Sequence, residues 1–130
     1  MPAGTFTVST SKTMGFFDIT LQVQKAVAAS AIVDGVCHVY NPHTTAGLTI
    51  NEGADPDVQA DVLAALQKIV PQIRYQHGEG NSPAHVMASL VGSSVTVFIE
   101  HGRLQLGTWQ KIFFCEFDGP RSRKVLWRIA

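Results

Sequence analysis

This sequence has little charge. Only 15% of its 130 residues are Asp, Glu, Lys or Arg, against about 25% in typical soluble domains. The ten basic and ten acidic side chains cancel, which argues against a general nucleic-acid-binding protein, because such proteins usually carry a basic stripe. Scarce charge favours burial of part of the surface against other subunits, although Ser, Thr, Gln and Asn could keep that surface wet instead.

Long hydrophobic runs and paired cysteines are also missing. No apolar run approaches the roughly 18–20 residues that a membrane-spanning helix needs, and the N-terminal segment lacks the basic-then-apolar layout of a secretory signal. Cys37 and Cys115 are far apart in the sequence, which argues against a thiolate zinc site and favours two buried thiols in a reducing compartment. We therefore expect a cytoplasmic protein that does not bind membranes.

The apolar content is high enough for a packed core, since 45% of the residues are hydrophobic, and the length predicts one domain over residues 1–130. Apolar alternation and turn signals predict strands at 5–10, 36–40, 48–50, 93–99, 103–106, 112–117 and 124–129. The last two are expected to form a hairpin through the turn DGPRS.

Helical spacing predicts three helices between these strands. The first is capped by Asp18 or Thr20 and runs to about residue 30, the second starts at Asp55 and ends at Pro71, and a short third one runs over about 82–90. Strands at both ends with helices between them indicate the α+β class: mainly antiparallel sheets, sandwich-like, with two or three helices. No Walker loop, GxGxxG or HExxH motif occurs.

Five histidines are the first candidates for chemistry. His38 falls inside a predicted strand and His101 in a predicted turn, so we interpret both as structural. His43, His77 and His85 lie at boundaries of predicted elements, beside small polar residues. Three imidazoles that leave a fourth position open make a catalytic zinc geometry. The spacing matches no recognised metal motif, however, and unrelated surface histidines are commoner.

A second group of residues is typical of anion binding. Arg121 and Arg123 lie in DGPRSR, and a guanidinium fork suits phosphate oxygens. Thr44 and Thr45 add hydroxyls, and turn amides can form an anion nest. The alternative is an ordinary charged hairpin turn. The Gly-Pro turn fixes the backbone before Arg121. Arg123, two residues on, shares the face of Arg121 if the segment is a strand and points elsewhere if the turn continues, and we expect it to matter less.

Other side chains could support these groups. Glu52 and Asp118 are nearby carboxylates, and either could orient a histidine. In the segment GRLQLGTWQ, Trp109 is expected in the core and Gln110 as an amide with its hydrogen bonds satisfied.

Four segments then point to a family. HTTAGLTINE, the YxH…GNxxAH segment, SL-x-GSS…G-x-L-x-LGTWQ-x-I and E-x-DGPR-x-R together resemble the YjbQ-like family, also described as secondary thiamine-phosphate synthase. The resemblance covers nearly the whole chain, from about residue 5 to residue 128, and LGTWQ and DGPR are its most distinctive pieces.

The resemblance implies a small α+β domain that assembles as a homotrimer, in agreement with the scarce charge. It also implies that His43, His77 and His85 meet around a metal ion, with Arg121 near them and Asn81 among the substrate-binding residues. Three imidazoles suit zinc better than magnesium, which prefers carboxylate and phosphate oxygens, although magnesium is the usual ion for a leaving diphosphate.

These observations predict a metal-dependent enzyme that acts on a phosphorylated small molecule, similar to thiamine-phosphate synthase. The metal would polarise a substrate oxygen or lower the pKa of a bound water. Arg121, with Thr44 or Thr45, would hold the phosphate. The alternative is a non-catalytic metal- or anion-binding module whose trimer is its functional form.

Overall fold

The computed structural model describes residues 1–130 and contains eight strands and three helices. The strands are β1 (Ala3–Ser9), β2 (Gly15–Asp18), β3 (Gly35–Tyr40), β4 (Ala46–Glu52), β5 (Ser94–Glu100), β6 (Arg103–Leu104), β7 (Gln110–Glu116) and β8 (Ser122–Ile129). The helices are α1 (Thr20–Ser30), α2 (Pro56–Ile69) and α3 (Ser82–Val91). None of the three is long and apolar enough to span a membrane.

The strands form two antiparallel sheets, which confirms the predicted α+β class. The larger sheet has the order β1-β8-β3-β5-β6, and the smaller has the order β2-β7-β4. The main core lies between the sheets, where inward side chains such as Val39, Val125 and Phe114 are fully buried together with Val23 and Val27 of α1. The molecule is thus sandwich-like, as the sequence predicts.

The smaller sheet is covered on its second face as well. Phe113, Cys115 and Phe117 point away from the main core and pack against Met87 and Ala88 of α3. Strand β7 therefore reads as an almost continuous buried run, which is typical of a strand with both faces covered. Helix α3 also lies along β4 of the same sheet, where the Leu48 amide donates to the Gly92 carbonyl at the end of the helix.

The predicted hairpin between the last two strands is wrong. Strand β7 pairs with β2 and β4, whereas β8 pairs with β1 and β3 in the other sheet. Each strand already has a neighbour on both edges, so no edge is left for the two to pair. The segment 117–121 therefore carries the chain from one sheet to the other.

Two smaller expectations, on the cap of α1 and on Trp109, also differ from the structure. The N-cap of α1 is Ile19 without a side-chain bond; Asp18 accepts a hydrogen bond from the Thr20 amide, and the Thr20 hydroxyl accepts one from Ile112. Asp55 caps α2 as predicted, through the Asp57 amide. Helix α2 contains no buried residue. Trp109 is 63% exposed and not in the core.

A buried ion pair links the two sheets. Glu116 ends β7 and is fully buried, and Arg123 lies near the start of β8 with 5% exposure. The carboxylate accepts hydrogen bonds from Arg123 Nε and Nη2, from the Thr10 hydroxyl at 2.7 Å and from the Asp118 amide at 3.1 Å. Burial would raise the pKa of Glu116, but its donors outweigh that effect and lower it.

Removal of one partner should destabilise the fold strongly. Glu116→Ala leaves a buried guanidinium without a counter-charge, which typically costs about 3–5 kcal/mol of unfolding free energy. Urea denaturation measures this loss, with the exposed Glu100→Ala as the matched control, expected within about 0.5 kcal/mol of the unaltered chain. Glu116→Leu combined with Arg123→Met should cost less than Glu116→Ala alone; an equal or larger loss would contradict the ion-pair account.

Candidate functional site

A polar cavity of about 370 Å³ lies beside the segment that leads from β7 to β8. Ten residues line it, none of them hydrophobic: Pro42, His43, Thr44, Thr45, Glu79, Asn81, His85, Asp118, Arg121 and Arg123. They come from the β3–β4 loop, the segment before α3, the first turns of α3, the link from β7 to β8 and the start of β8. Seven residues are predicted for the metal and substrate site, and six of them line this cavity: His43, Thr44, Thr45, Asn81, His85 and Arg121. The seventh, His77, does not.

The β3–β4 loop is held in shape by Asn41, whose side chain is buried. Asn41 Nδ2 donates to the Ala46 carbonyl at 2.8 Å, and Asn41 Oδ1 accepts from the His43 amide at 2.9 Å. These bonds replace the backbone ladder that the loop lacks. They fix the direction in which His43, Thr44 and Thr45 leave the loop toward the cavity.

His43 has a defined protonation state. Its Nε2 accepts the backbone N–H of Lys124 in β8 at 2.8 Å. An amide can only donate, so Nε2 must carry a lone pair, and the proton of the neutral ring is on Nδ1. Burial and then the positive charge of Arg123 lower the pKa of His43 below its ordinary value of 6.5. At neutral pH this side chain is therefore an uncharged imidazole with Nδ1–H as its one free donor.

Asp118 accepts the hydrogen bonds of its polar neighbours on the opposite side of the cavity. Its Oδ2 accepts from Asn81 Nδ2 and from Arg121 Nη2, both at 3.0 Å, and its carbonyl accepts from Arg121 Nε at 2.7 Å. The bond from Asn81 and the pairing with Arg121 lower the pKa of Asp118 despite its partial burial. Arg121 is presented at the cavity rim, 53% exposed, with one edge of its guanidinium already used.

Asn81 precedes α3 and has one unused oxygen. Its Nδ2 is bonded to Asp118, but its Oδ1 is buried without a hydrogen-bond partner. A buried acceptor without a donor costs about 1–3 kcal/mol of folding free energy, so such atoms are uncommon in folded proteins. A ligand group with an O–H or N–H would remove this cost.

Arg123, which we expect to matter less for phosphate binding than Arg121, lies deeper in the structure than Arg121. It is one of the buried side chains of β8, in phase with Val125 and Ile129, and its Nη2 donates to the Thr45 hydroxyl at 2.9 Å. The alternation of β8 was the signal that could have found it, because the predicted start of the strand, at 124, excluded Arg123. Glu52 is also corrected: it accepts from the Asp55 amide before α2 and does not line the cavity.

The three predicted histidine ligands do not fit a common metal ion as they stand. The rings of His77 and His85 are 5.6 Å apart, edge to face, and His85 shares the cavity with His43. No group of three or more His, Cys, Asp or Glu side chains is arranged to hold a metal. The only lone pair of His43 is occupied by the Lys124 amide, so coordination by His43 requires loss of that bond. His38 and His101 do not line the cavity, as expected.

Comparison with known proteins gives consistent matches along the chain. A family model described as "UPF0047 protein YjbQ-like" matches residues 4–130. The UPF0047 protein YugU of Bacillus subtilis is 48% identical over 121 residues, which cover 92% of this chain and 92% of that protein. A UPF0047 protein of Methanocaldococcus jannaschii is 46% identical over 125 residues, covering 95% of this chain and 91% of that protein.

Solved structures agree with this. An uncharacterized conserved protein of the YjbQ/UPF0047 family from Clostridium acetobutylicum superposes with a TM-score of 0.94 and 54% identity, covering 97% of this chain and 98% of that one. A hypothetical protein from Aeropyrum pernix superposes with a TM-score of 0.94 at 35% identity, covering 100% of this chain and 98% of that one.

The state of His43 can be tested directly. Long-range ¹H–¹⁵N NMR spectra at pH 7 should give the Nδ1–H tautomer for His43, because the Lys124 amide occupies Nε2. Its pKa should lie below 6.5, so the stability that the neutral ring contributes is complete above that pH and declines as the pH falls through the lower folded value. An Nε2–H tautomer, or a charged ring at pH 7, would contradict this arrangement.

Proposed function

This chain belongs to the UPF0047 family of YjbQ-like proteins, and we propose that it is an enzyme that acts on a phosphorylated small molecule bound in the polar cavity. The observation that carries the proposal is the composition of the cavity wall: two guanidinium groups, two threonine hydroxyls, two imidazoles and an amide stand beside the carboxylates of Glu79 and Asp118, with no hydrophobic residue. Hydrogen-bond donors of these kinds are the usual partners of phosphate oxygens.

The phosphate would lie between Arg121 and the β3–β4 loop. Arg121 reaches the cavity from the rim and keeps its Nη1 free of protein partners, and Thr44 is exposed on the facing loop. Thr45 Oγ1 already accepts from Arg123 and can donate its own proton to a ligand. Asn81 Oδ1 would accept from a hydroxyl or amino group of the same molecule.

The imidazoles would move protons. His43 is neutral and offers Nδ1–H, and His85 lies on the same cavity wall. A donor and a second imidazole around one bound molecule are the minimum for general acid–base chemistry, which typically contributes 10²–10⁴-fold to a rate. His77, the third catalytic residue of the proposal, contacts the ring of His85 from outside the cavity and would orient it.

Thiamine-phosphate synthesis is the first specific reaction to assay, because the family resemblance implies it. That reaction joins a pyrimidine diphosphate to a thiazole phosphate and releases pyrophosphate. The cavity offers donors for the phosphates but no hydrophobic side chain for the rings, and 370 Å³ is near the lower limit for a small-molecule pocket, about 300–1,000 Å³. One chain therefore supports the phosphate part of this reaction better than the binding of both substrates.

We propose that the protein is a homotrimer. The support is an apolar surface that one chain leaves open: α2 has no buried residue, and Leu21, Ile69, Ile73, Leu90, Phe98 and Trp109 are each more than half exposed. Few monomers expose this much apolar surface with so little charge.

We also propose a cytoplasmic location, with no membrane or nucleic-acid partner. Two free buried cysteines suit a reducing compartment, and burial raises the pKa of Cys37 to about 11.

Phosphate binding predicts a loss on substitution of Arg121. Isothermal titration with pyrophosphate should give roughly ten- to a hundred-fold weaker binding for Arg121→Lys, because one charged hydrogen bond is worth about 1.5–3 kcal/mol. Arg103→Lys is the matched control, since Arg103 is exposed in β6 and does not line the cavity. Equal affinities for the two variants would contradict a phosphate site at Arg121.

Substitution of His85 distinguishes a loss of catalysis from a loss of binding. If the chain is an enzyme, His85→Ala abolishes turnover of the phosphorylated substrate and leaves pyrophosphate binding measurable. If no phosphorylated substrate, including the thiamine precursors, is turned over by the unaltered protein although pyrophosphate binds, the chain is the non-catalytic module.

A divalent metal, zinc or magnesium, on His43, His77 and His85 stays a prediction and enters none of these roles. Metal analysis of protein purified without an affinity tag should find about one ion per chain if it is correct. Zinc titration followed by NMR should then shift His77 and His85 together, and the Lys124 amide should lose its hydrogen bond if His43 joins them. No uptake, or uptake unaffected by His85→Ala, would contradict a histidine metal site.

Trimer formation predicts a mass three times 14.1 kDa by light scattering at micromolar concentration. Permanent assemblies usually bury about 2,000 Å² or more per interface, so dilution to the lowest measurable concentration should leave the mass unchanged. A mass near 14.1 kDa would refute the assembly.

A further inference from the structure

The two arginines of the cavity are held very differently. The side chain of Arg121 is 53% exposed at the rim and hydrogen-bonds only to Asp118, whereas Arg123 is 5% exposed at the inner wall. A side chain that is already immobile loses no further rotamer freedom when a ligand binds. Arg123 is therefore the better organised of the two for recognition, although it is also part of the ion pair that links the sheets.

Its nitrogen atoms can be accounted for one by one. Arg123 Nε donates to Glu116 at 2.8 Å, and Nη2 donates to Glu116, to the Thr45 hydroxyl and, at 3.4 Å, to the Thr45 carbonyl. Nη1 has no partner in the protein. Asn81 Oδ1 is the only side-chain nitrogen or oxygen that is both buried and without a partner, so Nη1, which also lacks a partner, must be accessible to solvent. The guanidinium is thus clamped along one edge and open at one nitrogen, in a residue that lines the cavity.

We propose that Nη1 of Arg123 is the fixed donor that binds a phosphate oxygen of the ligand, with Glu116 and Thr45 as the residues that position it. This inference rests on the proposed function, since it assumes that the cavity takes a phosphorylated molecule. Nη1 carries two N–H groups, so it can give one hydrogen bond to each of two oxygens or two to one oxygen.

The charges around the cavity determine whether a phosphate is recognised by net charge or by the directions of hydrogen bonds. Arg123 is compensated by Glu116 and Arg121 by Asp118, and Glu79 adds a further negative charge to the wall. The site therefore holds no excess of positive charge for a phosphate. Selection must come from the directions of a few charge-assisted hydrogen bonds, and a donor whose direction is set by a buried clamp is suited to that.

The test uses the unaltered chain with ¹⁵N-labelled arginine, titrated with inorganic phosphate and followed through the guanidinium resonances. Arg121→Lys assigns the Arg121 signal by its disappearance. The inference requires that the Arg123 signal shifts and saturates at the same phosphate concentration as the backbone amides of Thr44 and Asn81, and that it still shifts in Arg121→Lys. If those amides shift and Arg123 does not, the inference is overturned and the proposed function stands. If no cavity signal shifts, both fail.

Variants add a second readout. Arg123→Lys keeps the charge next to Glu116 but lacks Nη1, and should bind phosphate roughly ten- to a hundred-fold more weakly. Thr45→Val removes the hydroxyl that holds Nη2, and Thr45→Ser restores it. Thr45→Val should weaken binding and shrink the Arg123 shift, with recovery in Thr45→Ser. Thermal unfolding checks that each variant is folded; if Arg123→Lys is not, the titration of the unaltered chain decides. Unchanged affinity in a folded Arg123→Lys would refute the assignment.

Discussion

The buried pair of Glu116 and Arg123 is the interaction on which the rest of this structure depends. Each residue belongs to a different sheet, and the pair lies where the chain crosses from one sheet to the other. Two charges removed from water are tolerated only when nearly all of their hydrogen-bonding capacity is used. The carboxylate meets this condition with donors from Arg123, Thr10 and Asp118, so three separate segments are tied to one side chain.

The candidate site is built on that pair. The Thr10 hydroxyl, which donates to Glu116, also accepts the Arg121 amide, and the Asp118 amide donates to Glu116. The link between β7 and β8 therefore presents Arg121 and the Asp118 carboxylate to the cavity from a backbone that the pair has fixed. On the facing side, Arg123 holds Thr45, so the same pair also orders the end of the loop that carries His43.

In this arrangement the positive charges of the cavity are balanced by negative ones. Each guanidinium has a carboxylate partner, and His43 is neutral because burial and Arg123 disfavour its charged form. A cavity of this kind attracts ligands weakly at long range, since there is little net field. It discriminates at contact, where donors with fixed directions must match the ligand, and where the unpaired Asn81 oxygen favours a molecule that also donates.

Local signals predicted much of the fold. The pattern Asp55-Pro56 identified the start of α2, alternation identified β3 and β5, and Pro71 correctly marked the end of α2 two residues after Ile69. Strand β2 was missed because four residues give too short a pattern, and the hairpin was predicted because pairing of successive strands is the commoner outcome. Which edges were already occupied depends on strands far away in the sequence.

The sequence by itself determined the α+β class and most elements, because propensity and periodicity are properties of neighbouring residues. Its motifs also named six residues that line the cavity. Only the tertiary structure decided what those residues can do. His43 cannot offer a lone pair because a β8 amide, 81 residues away, already uses it. Arg123 is buried and clamped because its carboxylate ends a strand of the other sheet. Protonation, burial and hydrogen-bond direction depend on such long-range neighbours, and no local pattern contains them.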